Sequence, residues 1–135
     1  MATQIFVNLA VKDLKRSMEF FRRLGFTFNS QFTDETAACM VIAGDIYAML
    51  LPHPKFREFT RKEIADATRT TEVLTCLSVD SRAKVDEMVE AALATGATEA
   101  REAMDYGFMY GRSFNDLDGH IWEIIYMDPS NLQQS

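Results

Sequence analysis

The sequence predicts an α+β protein built from two tandem βαβββ modules, whose strands form a curled mixed sheet with a concave cleft. Three observations predict it. Two sets of four segments alternate apolar and polar residues as strands do, and each set is interrupted once by a stretch of helical period. Each helical stretch ends at a glycine, Gly25 and Gly96, where a left-handed residue closes a helix. The order also repeats: Val11 and Asp13 answer to Val79 and Asp80, Leu24-Gly25 to Thr95-Gly96, and Gly44-Asp45-Ile46 to Asp118-Gly119-His120. Such a duplication constrains architecture more than any one motif. At 135 residues the chain suits one compact domain with a real core. Its modules are expected at about residues 3–52 and 72–128, joined by a linker or lid at 53–71.

Ile5 to Val11 reads as a strand, with Val7, Leu9 and Val11 on one face and Phe6, Asn8 and Ala10 on the other. Asp13 is placed to cap a helix carrying Leu14, Met18, Phe21 and Leu24 on one stripe. Phe26, Phe28 and Phe32 alternate with polar residues and suggest a second strand. Thr36 to Ala43 is a third, Gly44-Asp45 a turn, and Ile46 to Leu51 a fourth. His53 to Thr71 is irregular, with a short helix expected over Arg61 to Ala67. Val73 to Val79 opens the second module. Asp80 or Ser81 then caps a helix whose Val85, Met88, Val89 and Ala92 share a stripe. Strands follow at Glu99 to Met104, Phe108 to Asn115 and His120 to Met127, and the polar tail from Asp128 is expected to fray.

Composition narrows the function. Fourteen basic residues against 20 acidic ones give a net charge of −6, which disfavours a nucleic-acid partner. The longest apolar runs, such as Ile46 to Pro52, are too short to span a membrane. The N-terminus carries no signal-peptide pattern, so a cytoplasmic location is expected. Cys39 and Cys76 lie in strand-like context without metal spacing and read as two reduced thiols.

The stretch with the most chemical content is Asp116-Leu117-Asp118-Gly119-His120-Ile121-Trp122-Glu123-Ile124. An Asp-rich turn with glycine feeds a strand in which Trp122, Ile124 and Tyr126 face one way and Ile121, Glu123 and Ile125 the other. A carboxylate at mid-strand is expected to face a cavity. This stretch, with the duplication behind it, resembles the vicinal oxygen chelate superfamily: glyoxalase I, extradiol dioxygenases, and the fosfomycin and bleomycin resistance proteins. The resemblance covers nearly the whole chain and implies the glyoxalase/bleomycin resistance/dihydroxybiphenyl dioxygenase fold. It also implies a homodimer, and that the Glu following the Asp-x-Asp-Gly turn is a metal ligand, which here is Glu123.

In metal-dependent members, four His or Glu ligands come from repeat-related strand positions. The corresponding residues here are Phe6, Met49, Leu74 and Glu123. Two have no donor atom and one offers only a soft thioether, whereas a catalytic divalent ion needs imidazole or carboxylate donors. No metal and no cofactor is therefore expected, and glyoxalase I or dioxygenase activity is disfavoured.

Alternation instead lines the cleft with Phe6, Asn8, Tyr47, Met49, Leu51, Leu74, Cys76, Ile121 and Glu123, the composition of a pocket for a small organic molecule. Glu123 is the candidate catalytic base or ligand-orienting acceptor, with a carboxylate bonded by Arg112 or a tyrosine as the structural alternative. Tyr106, Tyr110 and Arg112 form a second-rank ligand site. Cys76 reads as a small core residue and His120 as a surface or interface residue turned from the cleft. Phe56, Phe59 and Met104 are candidates to cover the cleft or form a subunit contact. The first functional expectation is a binding protein like the bleomycin resistance members. The alternatives are a metal-free lyase or isomerase using Glu123 with Arg112 or Asn8, and an atypical metal enzyme in which His53 joins Glu123.

Overall fold

The computed structural model describes residues 2–131; the last four residues of the polar tail lie outside the described residues. The first module comprises β1 (Ile5–Val11), α1 (Leu14–Arg23), β2 (Thr27–Phe28), β3 (Ala38–Ala43), β4 (Ile46–Pro52) and a short α2 (His53–Phe56). The second comprises β5 (Leu74–Ser78), α3 (Arg82–Ala94), β6 (Thr98–Asp105), β7 (Met109–Asn115) and β8 (Ile121–Met127). Two four-stranded mixed sheets result, ordered β1-β4-β3-β2 and β5-β8-β7-β6. In each, the module's first strand pairs in parallel with its last, and the remaining pairs are antiparallel. The tandem βαβββ organisation is thus as the sequence predicts. The chain divides into two compact units, one ending at Asp66 and the other beginning at Ala67.

Local chemistry sets the helix limits. The Asp13 carboxylate accepts from the Arg16 amide at 3.2 Å, satisfying one of the orphan donors of the first turn. Leu14, Ser17, Phe20 and Phe21 form the buried stripe of α1; Met18 sits at its half-buried shoulder. Gly25, at φ 104°, ends the helix in a conformation that other residues resist. In α3 the cap is Ser81, whose hydroxyl accepts from the Lys84 amide at 3.0 Å. Val85, Met88, Val89 and Ala92 are buried as predicted.

Each module has its own apolar core. Leu9, Val11, Phe20, Phe21, Met40 and Leu50 are buried in the first. Val85, Val89, Phe114, Trp122 and Ile124 are buried in the second, where α3 packs against β7 and β8. Each large side chain so buried contributes roughly 1.5–3 kcal/mol.

Two local expectations need correction. The phenylalanine alternation from Phe26 to Phe32 yields only the two-residue β2, followed by a 3₁₀ turn at Ser30–Phe32. Asn29 starts that turn, its side chain accepting from the Gln31 amide at 2.9 Å, so a local cap overrides the strand period. The short helix expected over Arg61 to Ala67 is absent. Helix instead follows β4 directly, as α2 and a 3₁₀ turn at Arg57–Phe59, with Pro54 in its first turn.

Candidate functional site

The turn that closes the second module is built by Asp116. Its carboxylate accepts from the Asp118 amide at 2.9 Å, the His120 amide at 3.0 Å and the Trp122 indole N–H at 2.9 Å. Burial pushes this carboxyl above its ordinary value, with His120 and the Trp122 bond pulling against the shift. Gly119, at φ 90°, lies so close to the segment that precedes β5 that an added Cβ would stand 2.7 Å from the Ala67 carbonyl. His120 is buried, with Nδ1 2.8 Å from Glu72 Oε1. The expectation of a surface or interface histidine is therefore corrected: its side chain faces the covered side of β8, where Glu72 receives it. These contacts fix where β8 begins and hence where Glu123 stands.

From that start, β8 carries Trp122 and Ile124 into the core and turns Ile121, Glu123 and Ile125 to the opposite, more open face. The register then sets the neighbours of Glu123. Cys76 on β5 and Ser113 on β7 are its direct cross-strand partners, and Arg101 on β6 is the partner of Ser113. One row, Cys76–Glu123–Ser113–Arg101, thus runs across all four strands of the sheet. The Arg101 guanidinium donates to Glu123 Oε2 at 3.2 Å and approaches the Met104 sulfur at 2.9 Å. The Glu123 side chain is 22% exposed and that of Arg101 53%, so the pair is open to a ligand.

Arg101 was not among the residues singled out in the sequence. The residue given its role, Arg112, lies on the other face, where it pairs with Asp86 at 3.0 Å and Glu90 at 2.7 Å. Tyr110 joins it there, its hydroxyl donating to Asp86 at 2.6 Å. That hydrogen bond pushes the Tyr110 hydroxyl up and holds the Asp86 carboxyl below its ordinary value. The Arg112–Glu123 ion pair is therefore corrected to Arg101–Glu123, because odd and even positions of β7 face opposite sides. Tyr106 is exposed at the β6–β7 turn, stacked on Phe108 with ring centroids 6.4 Å apart, and does not join the row.

Leu74, 58% exposed, and Cys76, also exposed, stand on β5. Cys76 is thus not the core residue its apolar neighbours suggested. Partial desolvation of its sulfur, with the Glu123 carboxylate second, raises its thiol pKa, so it is not an activated nucleophile.

The corresponding face of the first module holds Phe6, Asn8, Tyr47 and Met49. Phe6 stacks on Tyr47 with centroids 4.8 Å apart, the Tyr47 hydroxyl donates to the Gly44 carbonyl at 3.0 Å, and the Asn8 amide donates to the Phe6 carbonyl at 3.1 Å. Asn8 is the direct partner of Met49, which in turn pairs with Cys39. Leu51 shares their alternation but is only 2% exposed, at the end of β4 where α2 packs. Among the described residues, no group of three or more His, Cys, Asp or Glu side chains is placed to hold a metal ion, and no helix is long and apolar enough to cross a membrane.

Known proteins place this architecture. Residues 3–43 match the family model of bleomycin resistance protein-like N-terminal segments. No curated protein matches the sequence. Among solved structures, a hypothetical protein from S. aureus is 28% identical, with a TM-score of 0.77 over 93% of this chain and 95% of that one. A glyoxalase/bleomycin resistance protein/dioxygenase family enzyme from Burkholderia phytofirmans PsJN is 18% identical, with a TM-score of 0.76 over 93% and 99%. The fosfomycin resistance protein FosX from Mesorhizobium loti is 15% identical, with a TM-score of 0.69 over 98% of each chain. The last two likenesses are likenesses of fold. The chain thus has the glyoxalase/bleomycin resistance fold, and residues 3–43 within its first module match the bleomycin resistance protein-like N-terminal model.

Proposed function

We propose that this protein binds a small organic molecule on the open face of the second module's sheet, without the superfamily's metal chemistry. The observation that carries the reading is the Arg101–Glu123 pair, a donor and an acceptor 3.2 Å apart beside exposed apolar surface at Leu74. Such sites orient a ligand with a few polar groups against apolar walls. Of the four positions where the superfamily's ligands are implied, Phe6 and Leu74 have no donor, Met49 has a thioether, and the Glu123 carboxylate is engaged by Arg101. That donor set does not fit a hard divalent ion. The first module's Phe6, Tyr47, Met49 and Asn8 offer apolar surface and one amide on their own sheet, and are proposed as ligand-binding residues of lesser weight.

The pairing also supports a second reading, a lyase or isomerase in which Glu123 accepts a proton and Arg101 stabilises the resulting oxyanion. Full turnover in Glu123→Gln would exclude it. The binding reading is tested by thermal unfolding against a library of small organic molecules. A ligand present at about a hundred times its Kd stabilises the folded state by about 2.7 kcal/mol. At least one compound is expected to raise Tm in wild type and much less in Arg101→Gln; indifference to the whole library would overturn the reading.

A further inference from the structure

Between Arg101 and Glu123 stands a residue to which neither sequence nor superfamily resemblance gives a role. Ser113 is the cross-strand partner of both. It is 3% exposed, and its Oγ is buried without a hydrogen-bond partner among the described residues. A buried hydroxyl with no protein group to bond to is rare in native structures, and each such group calls for a reason. Ser113 lines a shallow recess in the open face with Arg101, Met104, Gly111, Glu123 and Ile125, of about 10 Å³. That is room for one water-sized group. At Gly111, which also lines it, an added Cβ would stand 3.1 Å from Ile125 Cγ2.

We propose that this recess recognises a hydroxyl group on an otherwise apolar ligand, with Ser113 as the specificity-determining residue. The inference rests on the binding reading above and names the ligand class for that site. Arg101 can only donate, the Glu123 carboxylate can only accept, and the Ser113 hydroxyl can do both. A ligand hydroxyl meets all three demands with one heavy atom: its oxygen accepts from Arg101 and Ser113 while its O–H donates to Glu123. A methyl group meets none of them. An ammonium can only donate and so leaves the Arg101 donors without an acceptor, and a carboxylate is opposed by Glu123 and too large for the recess.

The test is a titration of isotope-labelled full-length chain with benzyl alcohol and with ethylbenzene, which differ in size little and in the hydroxyl entirely. The backbone amides of Ser113 and Glu123 are followed by NMR. Benzyl alcohol is expected to shift these resonances and to bind about tenfold more tightly than ethylbenzene, a difference typical of one hydrogen bond. That preference disappears in Ser113→Ala, whose Tm in the absence of ligand equals or exceeds that of wild type because an unpaired buried hydroxyl has been removed. Ser113→Cys, close in size and a weak donor, loses most of the preference and serves if the alanine variant does not fold. Equal binding of the two compounds at the open face would overturn the hydroxyl inference and leave the binding reading standing. A preference that survives in Ser113→Ala would overturn the role of Ser113. No shift at the open face with either compound would overturn the hydroxyl inference, while the binding reading falls only if the whole library is without effect.

Discussion

Two rows of residues occupy repeat-equivalent places in the two modules and carry different chemistry. In the first module Asn8, Met49 and Cys39 lie side by side on β1, β4 and β3. In the second, Cys76, Glu123 and Ser113 lie side by side on β5, β8 and β7, with Arg101 beyond them on β6. Strand order and direction are the same in both sheets. The third residue of each row is buried, Cys39 at 0% and Ser113 at 3% exposure. A buried thiol behaves as a small apolar group and asks for nothing, whereas a buried hydroxyl asks for a partner. The backbone therefore supplies the same positions in both modules, and the proposed recognition rests mainly on the side chains of the second row.

The turns that lead into the last strand of each module differ in the same sense. Asp45 in the first is exposed. Asp116 in the second is buried and holds three donors. Replacing it should have the largest effect on stability. Asp116→Ala leaves buried donors unpaired at roughly 1–3 kcal/mol each, so a loss of about 3 kcal/mol or more is expected in urea unfolding. Asp45→Ala should stay within about 0.5 kcal/mol; equal losses would erase the contrast.

A smaller effect separates the glycines of the same turns. Gly119→Ala combines positive φ with collision against the Ala67 carbonyl and should cost about 2 kcal/mol. Gly44 has neither constraint, so Gly44→Ala should be neutral or stabilise by up to about 1 kcal/mol. Matching Tm changes for the two variants would contradict this.

The smallest effect is a pH dependence confined to the second module's covered face. The Tyr110 hydroxyl, and after it Arg112, hold the Asp86 carboxyl below its ordinary value of 3.8. A carboxyl depressed in the folded state stabilises it above the unfolded value and loses that contribution as pH falls through the folded one. Wild type should therefore lose stability below pH 3.8 more steeply than Asp86→Asn. Parallel acid limbs would show that this network contributes nothing.

How much of this was legible in the sequence depended on the range of the interaction. Asp13, Gly25, Ser81 and Gly96 act within a turn of their own helix, so their roles followed from local pattern. The faces of β1 and β8 followed from alternation alone, which is why Glu123 was found. Arg101 was not, because its place depends on pairing between β6 and β7, and that register shifts on both sides of Arg101. Each such irregularity re-aims the side chains beyond it. Arg112 was misassigned for the complementary reason: Ser113, one residue on, is the partner of Glu123. The burial of His120 was hidden because its partner, Glu72, is 48 residues away in the chain. Cys76 looked like core because apolar neighbours do not reveal which face of a sheet lies open.

The most direct test compares repeat-equivalent substitutions. Binding of one compound from the ligand screen is measured by calorimetry to wild type, Glu123→Gln and Met49→Leu. Hydrogen bonds to a charged group contribute about 1.5–3 kcal/mol, so Glu123→Gln should weaken binding roughly tenfold or more. Met49→Leu preserves apolar volume and should stay within about threefold of wild type. An equal loss in both variants, or a loss confined to Met49→Leu, would contradict the assignment of recognition to the second module's row.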